Sequence, residues 1–421
     1  MLHKKIFSFI SILLIVSVPA GYCENIDTRD RTEQIEMLKK IQRDTFQYFI
    51  DQQNPKTGLI KDSSRNASPA SIAATGFGLA SIAIGAAHGW ISYKDAHTRI
   101  QKTLETLKSN DTHRNGFFYH FLDPETGKRS WNSEVSSIDT ALLAAGMLLA
   151  STYFSGTSIE KRSREIYERI NWPWMLNGTD KFCHGWSPKT GFLPYYWDMY
   201  AEHLILLALA IGSSSKPAPV SVWSGWERNS DTYKHKQIIY SYTGSLFTYQ
   251  YSHAFIDFKI LSDHGVNFSD NSLKATLANY QYSKSFASEY KSYELAWGLS
   301  ASLGPDGYRA YGALPGEGMH DGTIAPYAAL SAIILTPQKS TAAAEYFYTE
   351  LRNKLYGRYG FRGAYNLDRN WWADEYLGID EGIIVLMLEN YLNHGAVWKR
   401  FMNLQAIKKW IDKTNLTQKA A

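Results

Sequence analysis

Six stretches of this chain are apolar around the whole circumference of a helix, and this feature restricts the possible folds most strongly. They lie at residues 70–87, 138–154, 199–211, 246–258, 323–335 and 379–392. A helix without a polar face has to be surrounded by other parts of the chain. A membrane bundle is disfavoured, because these runs are short and are interrupted by glycine or polar residues. The sequence therefore predicts six buried helices.

Six amphipathic stretches alternate with the apolar ones. The first carries Ile35, Leu38, Phe46 and Phe49 at helical spacing. The others lie near residues 93–107, 158–176, 271–290, 340–355 and 397–411. Short links make consecutive helices antiparallel, so the simplest closed arrangement places six buried helices inside an outer ring. The predicted fold is all-α, an (α/α)6 toroid, and an irregular helical bundle is the alternative.

The N-terminal 23 residues have the composition of an export signal. Lys4 and Lys5 precede an apolar run at residues 6–18, and small residues follow as far as Cys23. A lipoprotein anchor at Cys23 is the less favoured alternative, because the preceding Tyr22 is bulky. We expect residues 1–23 to be removed and the mature protein to be periplasmic or secreted. Its single remaining cysteine, Cys183, then excludes an internal disulfide.

Residues 30–415 are predicted to form one domain, because no low-complexity linker or long charge run divides them. The net charge of +4 falls to +2 once Lys4 and Lys5 are removed. A nearly balanced charge of this kind provides no clustered basic surface for nucleic acid. We also expect no stable insertion into a membrane, and a monomer.

Acidic residues stand at or just before the first turn of several apolar helices. Asp139, Glu202, Asp321 and Asp380 hold such positions. If the buried helices run parallel to one another, their N-terminal ends meet at one mouth of the ring, and these carboxyl groups converge there. Each acid alone could simply cap a helix by accepting hydrogen bonds from free backbone N–H groups. Glu202 is the hardest to explain in this way, since Asp198 is the better cap.

Two carboxyl groups on opposite sides of one acetal bond are what glycoside hydrolysis requires. One protonates the leaving oxygen, and the other activates water or attacks the sugar. Aromatic residues make up 14% of the chain, and their flat rings suit the apolar faces of sugars. The aromatic candidates near helix starts and loops are Trp131, Trp197, Tyr200, Trp297, Tyr311, Trp371 and Trp372. Of these, Trp297 could equally belong to the core.

Signals for a metal are weak. His253 and Asp257 are four residues apart and could bind a cation, but a hydrogen-bonded core pair is the favoured interpretation. No His-Glu-x-x-His motif occurs in the sequence. We predict no metal and no cofactor.

Several longer segments are distinctive when they are taken together. They read Ser-Ser-Ile-Asp-Thr-Ala-Leu-Leu at 136–143, Trp-Asp-Met-Tyr-Ala-Glu at 197–202, Ala-Leu-Ala-Ile-Gly-Ser at 208–213, Leu-Phe-Thr-Tyr-Gln-Tyr-Ser-His-Ala-Phe-Ile-Asp at 246–257, Asp-Gly-Thr-Ile-Ala-Pro at 321–326 and Tyr-Leu-Gly-Ile-Asp-Glu-Gly at 376–382. Over residues 35–405 the chain resembles the glucoamylase-like domain of bacterial endo-β-1,2-glucanases, glycoside hydrolase family 144. The resemblance implies an (α/α)6 toroid that hydrolyses β-1,2-glucan to short sophoro-oligosaccharides with inversion and without a metal.

The resemblance also implies roles for individual residues. Glu202 matches the general acid, whose pKa burial should raise, and Asp380 matches the general base. Glu134 and Asp139 would hold substrate or water, or share the role of the base. Glu381 departs from the pattern, since most relatives are expected to carry Gln there, and a second carboxyl group beside Asp380 puts the identity of the base in doubt. The expected substrate-binding residues are Trp131, Trp197, Tyr200, His253, Asp257, Trp297, Tyr311, Asp321, Trp371 and Trp372.

Other functions remain open at this point. The chain could be a glycan-binding protein without turnover, or an exo-acting or transglycosylating enzyme on the same linkage. A polysaccharide lyase that abstracts a proton beside a uronic acid is a further alternative, although the nearly neutral charge gives no reason to expect an acidic polymer.

Overall fold

The computed structural model describes residues 21–418, with side chains for residues 31–418 apart from residue 110. The first twenty residues of the predicted export signal lie outside the described residues, and the side chains of its last three are not described. The fold is all-α, because the strands within the described part of the chain are no longer than four residues. No helix there is both long enough and apolar enough to cross a bilayer.

Fifteen α-helices are present between residues 21 and 418. They are α1 (Gly21–Asp51), α2 (Ile72–Ala87), α3 (Tyr93–Leu107), α4 (Ser137–Tyr153), α5 (Ser158–Arg169), α6 (Leu204–Gly212), α7 (Tyr251–Phe255), α8 (Phe268–Ser285), α9 (Lys291–Leu295), α10 (Pro326–Ser331), α11 (Pro337–Thr349), α12 (Arg352–Leu355), α13 (Gly378–Leu392), α14 (Ala396–Phe401) and α15 (Gln405–Thr414). Short 3-10 helices lie at Asn110–Thr112, Trp172–Leu176, Val220–Trp223, Leu246–Tyr249, Phe258–Ile260 and Ala332–Ile334.

Short antiparallel strand pairs join the loops that connect the helices. The pairs are Ala70–Ser71 with Phe121–Leu122, His113–Arg114 with Phe117–Phe118, Ser230–Tyr233 with Lys236–Ile239, Leu261–Ser262 with Thr417–Gln418, Ala301–Ser302 with Arg309–Ala310, Tyr356–Gly357 with Gly360–Phe361 and Tyr365–Asn366 with Trp371–Trp372. Gly185–Ser187 pairs on one side with Val135–Ser136, with Ser136 opposite Gly185, and on the other with Gly191–Phe192. Two of these sheets lead directly into α2 and α4, so they fix where those helices begin.

The predicted apolar helices match the structure at four of the six positions, as α2, α4, α6 and α13. The other two are broken. Residues 246–258 form a 3-10 turn and the short α7, and residues 323–335 form α10 and a 3-10 turn. Pro326 opens α10 at its first position, which proline favours, so the helix begins later than predicted. Gln250 stands at the other break, and its buried amide Nε2 donates to Ala328 O at 2.7 Å, which joins the two broken segments.

The apolar helices contact one another in cyclic order. Helix α2 packs against α4, α4 against α6, α6 against α7, α7 against α13, and α13 returns to α2. Helix α10 packs against α13. The amphipathic helices lie outside these contacts, with α1 on α13 and α2, α3 on α2, α5 on α4, α11 on α10 and α15 on α6. Helices α2, α4, α6, α10 and α13 therefore each contact both an apolar neighbour and an outer helix.

Glycines set the distance between α2 and α4. A Cβ atom built on Gly146 of α4 would lie 1.8 Å from the backbone oxygen of Gly76 in α2. A Cβ built on Gly76 would lie 2.5 Å from the backbone of Leu142 and Leu143. Side chains at these positions would push the two backbones apart, so the contact requires glycine on both helices.

We expect Gly146→Ala to destabilise the protein by at least about 2 kcal/mol, because the added methyl group meets a backbone atom that no rotamer change can move. Gly85→Ala, in the last turn of α2, is the matched control, since its methyl group meets the ring of Phe46 rather than backbone. We expect a smaller loss there, because a side chain can adjust. Chemical denaturation of the three proteins measures the difference. Equal stability of Gly146→Ala and the wild type would contradict the close approach.

Candidate active site

Two cavities open where the apolar helices begin. The first, which we name the Asp62 cavity, has a volume of about 640 Å³. Its lining includes Asp62, Arg65, His120, Trp131, Tyr308 and Glu375. The second, the Glu202 cavity, has a volume of about 560 Å³. Its lining includes His184, Tyr195, Trp197, Tyr200, Glu202 and Tyr242. Both cavities thus combine acids or histidines with exposed aromatic rings, as sugar sites do.

Glu202 lies in the turn before α6 rather than within the helix, which begins at Leu204. Ser252 of α7 fixes this turn, because its hydroxyl donates to Glu202 O at 2.5 Å and accepts from Ile205 N at 3.0 Å. The side chain is 8% exposed and lines its cavity. Burial raises the pKa of Glu202 to about 7, and the charge of Asp139 adds to the shift. This carboxyl group therefore holds a proton up to neutral pH, as a general acid must.

Asp380 lies in the first turn of α13 and is 2% exposed. Its Oδ2 atom has no hydrogen-bond partner among the described residues. Burial raises the pKa of Asp380 well above its usual value, and the charge of Asp62 raises it further. A water or ligand group that donates a hydrogen bond to Oδ2 would favour the ionised form of this carboxyl group.

Two buried tyrosines are affected by the charges of both Glu202 and Asp380. Burial raises the pKa of Tyr251 and of Tyr327, and the charges of Asp380 and Glu202 both add to each shift. The two acids, 178 residues apart along the chain, therefore act electrostatically on the same pair of hydroxyl groups. Both acids stand near the N-terminal end of an apolar helix, Glu202 before α6 and Asp380 in the first turn of α13.

Glu134 and Asp139 meet at His120, which lies between two short strands. Its Nδ1 atom is 3.0 Å from Glu134 Oε1, and its Nε2 atom is 3.7 Å from Asp139 Oδ2. The hydrogen bond from His120 lowers the pKa of Glu134. Ser136 caps α4. Its hydroxyl accepts a hydrogen bond from Asp139 N at 3.2 Å and donates one to Asp139 Oδ2 at 2.5 Å. Asp139 thus faces both the cap and the imidazole.

Asp62, Arg65, His120 and Glu375 are site residues that the sequence analysis missed. The backbone oxygen of Asp62 accepts from Gly378 N at 2.7 Å, and Arg65 forms an ion pair with the buried Glu375. These contacts hold the loop before α2 against the start of α13. Burial raises the pKa of Asp62 to about 6. No pattern in the sequence marks Asp62, because it lies ten residues before the helix it serves and only tertiary contacts bring it to the mouth.

Three predicted sugar-binding aromatic residues line the cavities. Trp131 is 64% exposed in the Asp62 cavity, and its ring contacts Phe121 at a centroid distance of 5.1 Å. In the Glu202 cavity, Trp197 donates from Nε1 to Ser137 Oγ at 2.9 Å, and Tyr200 lies largely beneath the surface. Trp131 therefore presents the most ring surface to a ligand, whereas Trp197 is half-buried and stacks on His184 at a centroid distance of 4.2 Å.

His253 and Asp257 do not form the favoured core pair, so that interpretation is wrong. His253 Nε2 instead bonds to Ser272 Oγ at 2.8 Å, because α8 packs against this segment. Asp257 caps the following 3-10 turn by accepting from Lys259 N at 3.1 Å. Both residues lie outside the linings of the two cavities.

The remaining predicted binding residues also lie outside the two linings. Trp297 is buried in the core, and the buried Tyr311 donates to Asp321 Oδ2 at 3.0 Å. Trp371 and Trp372 form a strand, and the ring of the second stacks on a core tyrosine. No group of three or more potential metal ligands occurs within the described part of the chain.

Glu381, next to Asp380, is fully buried between α13 and α1. No hydrogen bond of ordinary geometry reaches either carboxyl oxygen from the described residues, although Thr45 of α1 lies close. Burial raises the pKa of Glu381 well above its usual value, and the charge of Asp380 raises it further. The group is therefore protonated in the folded protein under conditions where it ionises in the unfolded chain.

Comparison with known proteins identifies one family and several similar structures. The family model named Glycoamylase, which describes glucoamylase-like proteins, matches residues 194–405. This range contains both Glu202 and Asp380. A Bacteroides uniformis structure described as glucoamylase-like is 31% identical, has a TM-score of 0.85, and aligns over 91% of this chain and 98% of its own.

Two similar proteins have names that specify a substrate. The structure of an endo-β-1,2-glucanase from Chitinophaga pinensis, a complex with sophorotriose and glucose, is 28% identical with a TM-score of 0.85, over 91% of this chain and 99% of its own. An exo β-1,2-glucooligosaccharide sophorohydrolase (non-reducing end) from Parabacteroides distasonis is 27% identical over 90% of this chain. This chain spans 57% of the length of that curated relative.

We expect Glu381→Gln to raise the thermal unfolding midpoint at pH 8 but not at pH 4.5. A raised folded-state pKa means that stability is lost as pH rises above the ordinary glutamate value of about 4.3, and glutamine removes this loss. Glu389→Gln, on the same helix, is the control. Its carboxylate accepts from Gln42, Asn393 and His88, so we expect that substitution to destabilise. A Glu381→Gln midpoint no higher than the wild-type value at pH 8 would contradict this account.

Proposed function

This chain belongs to the Glycoamylase family, and we propose that it hydrolyses β-1,2-glucan to short sophoro-oligosaccharides. The similar proteins that carry a specific name are glycoside hydrolases. The observation that carries the proposal is that Glu202 lines one aromatic cavity, while Leu377 and Ile379, beside Asp380, line the other, and both acids affect Tyr251 and Tyr327. The proposed hydrolysis uses the two carboxyl groups and a water molecule.

The proposed architecture is the (α/α)6 toroid. The cyclic contacts of α2, α4, α6, α7 and α13, together with α10 against α13, support an inner ring of six segments. The outer helices α1, α3, α5, α11 and α15 each pack on a member of this ring. In such a ring the inner helices run in the same direction, so their N-terminal ends and the acids near them share one face.

The proposed substrate lies across both cavities. Trp131 and Tyr308 would contact sugar rings in the Asp62 cavity, and Tyr195, Trp197 and Tyr242 would contact them in the Glu202 cavity. Aromatic faces on both sides of the acids can bind a chain that continues in both directions, which favours cleavage within the glucan.

Glu202 is the proposed general acid. Its raised pKa keeps a proton available near neutral pH, and its position in the lining of a cavity gives a glycosidic oxygen access to that proton. Protonation of this oxygen lets the sugar leave as an alcohol while positive charge develops at the anomeric carbon. The burial that raises the pKa therefore serves the chemistry directly.

Asp380 is the proposed general base, and the proposed stereochemical course is inversion. The free Oδ2 atom can accept a hydrogen bond from the attacking water, directly or through an intervening hydroxyl group. That hydrogen bond would stabilise the anion and lower the raised pKa of Asp380 when substrate is bound. Glu134 and Asp139, with His120 between them, would orient water or sugar hydroxyl groups on the same side.

An exo-acting enzyme on the same linkage is the second candidate, because the curated relative is named as an exo-acting sophorohydrolase. Product length over time separates the two modes. Long intermediates appear early in endo cleavage, whereas one short product accumulates from the start in exo cleavage. Transglycosylation would instead yield products longer than the substrate. We also propose an exported monomer, on the basis of the N-terminal composition and the single domain.

We expect Glu202→Gln and Asp380→Asn each to lower the rate on linear β-1,2-glucan by at least ~10², because each removes a positioned proton transfer. Proton NMR follows both the rate and the anomeric form of the first product, which inversion predicts to be α. Glu389→Gln, at the opposite end of α13 from Asp380, should stay active below its unfolding temperature. Binding of the glucan without hydrolysis by the wild type would instead identify a non-catalytic glycan-binding protein.

A further inference from the structure

The imidazole of His120 stands among three carboxyl groups that come from different parts of the chain. Glu134 Oε1 lies 3.0 Å from Nδ1, and Asp139 Oδ2 lies 3.7 Å from Nε2. Asp62, which lines the same cavity, is close enough for the charge of His120 to lower its pKa. Both ring nitrogens therefore face acids.

Hydrogen bonds hold the backbone of His120, and a stacking contact holds its ring. The backbone N–H of His120 donates to Glu134 O at 2.8 Å, and its backbone oxygen accepts from Ile72 N at 3.1 Å. The imidazole stacks on the ring of Phe121 with a centroid distance of 3.9 Å and an angle of 15° between planes. The same residue thus contacts the start of α2 through its backbone and Asp139 of α4 through its ring, and it lines the Asp62 cavity.

We propose that His120 is a cationic positioning residue of this site, which holds Glu134 ionised and orients both Glu134 and Asp139 beside the general acid. The inference rests on the proposed function for its role in hydrolysis. It does not depend on which sugar is bound.

Three acids act on the imidazole of His120, and together they decide its charge. Burial by itself lowers the pKa of His120, but the charges of Asp139, Glu134 and Asp62 outweigh it and raise the pKa to about 9. A cation at this place is therefore stable at neutral pH. Without it, neighbouring carboxyl groups would repel one another and share protons.

The other charged groups around the cluster have different partners. Arg129 lowers the pKa of Glu134 from a distance, but its guanidinium hydrogen-bonds to the backbone oxygens of Ser133 and Asn132. Arg65 forms an ion pair with Glu375. In the described part of the chain, the ion pair of Asp139 is the one with His120.

Asp139 links this cluster to the general acid. Its charge is one of the causes of the raised pKa of Glu202. Because Asp139 Oδ2 lies 3.7 Å from His120 Nε2, the position of the imidazole also affects the position of this charge relative to Glu202. The His120 cation therefore supports the acid through one intermediate carboxylate, while acting on Asp139 and Glu134 directly.

The first test is the pH dependence of kcat/KM on β-1,2-glucan for His120→Asn, whose amide can still donate to Glu134 but carries no charge. We expect the acidic limb to move to higher pH by about one unit, with at least a tenfold loss at pH 5 relative to pH 7.5. A merely structural role would lower the whole profile without moving the limb, and that result would overturn the proposal.

His113→Asn is the matched control. His113 begins the hairpin that precedes His120, and burial lowers its pKa to about 4, so it is uncharged at neutral pH. We expect this substitution to leave the limbs of the pH profile in place. A shift equal to that of His120→Asn would show that disturbance of the hairpin, rather than loss of charge, causes the effect.

A second measurement does not require activity. Nitrogen-15 NMR of the imidazole in the wild-type protein should show His120 protonated on both nitrogens through pH 8. Titration at or below pH 6.5 would overturn the proposal. If the wild type cleaves no β-1,2-glucan, the proposed function fails, and this titration still decides whether His120 is the cation of the acidic cluster.

Discussion

Helices without a polar face can expose polar groups only at their ends, and this constraint organises the whole molecule. Because α2, α4, α6 and α13 are buried along their length, outer helices must cover them and polar side chains collect at their termini. The glycine contact between α2 and α4 shows how closely the backbones approach when nothing polar intervenes. The site is thus a consequence of how the core is packed.

The same burial sets the electrostatics of the acids. Glu202, Asp380 and Glu381 all have pKa values raised mainly by burial, so the fold stores unfavourable energy in groups that would be stable in water. Such perturbed groups are typical of active sites, where a proton must be held or accepted near neutral pH. The charge of His120 acts on two other acids, since it lowers the pKa of Glu134 and opposes the effect of burial on Asp62.

Much of the fold could be predicted from sequence, because apolar and amphipathic periods are local properties. The two breaks, near Gln250 and Pro326, could be missed because a tertiary hydrogen bond and a helix start, rather than periodicity, decide them. In the candidate site, Glu202 and Asp380 could be selected from the sequence because each stands at the start of an apolar stretch. Asp62 and His120 could not be selected in this way, since they lie in loops whose position depends on contacts with distant parts of the chain. The predicted partner of His253 was wrong, because helical spacing suggested Asp257 whereas the hydrogen bond is made with Ser272 of α8.

The most direct test of the convergence of the acids is a crystal structure of Glu202→Gln with a bound β-1,2-linked gluco-oligosaccharide. The account predicts glucose units in both the Asp62 and the Glu202 cavities. One glycosidic oxygen should lie about 3 Å from the substituted amide, with Asp380 on the opposite face of the sugar. An oligosaccharide confined to one cavity, with its linkages remote from both residues, would contradict it.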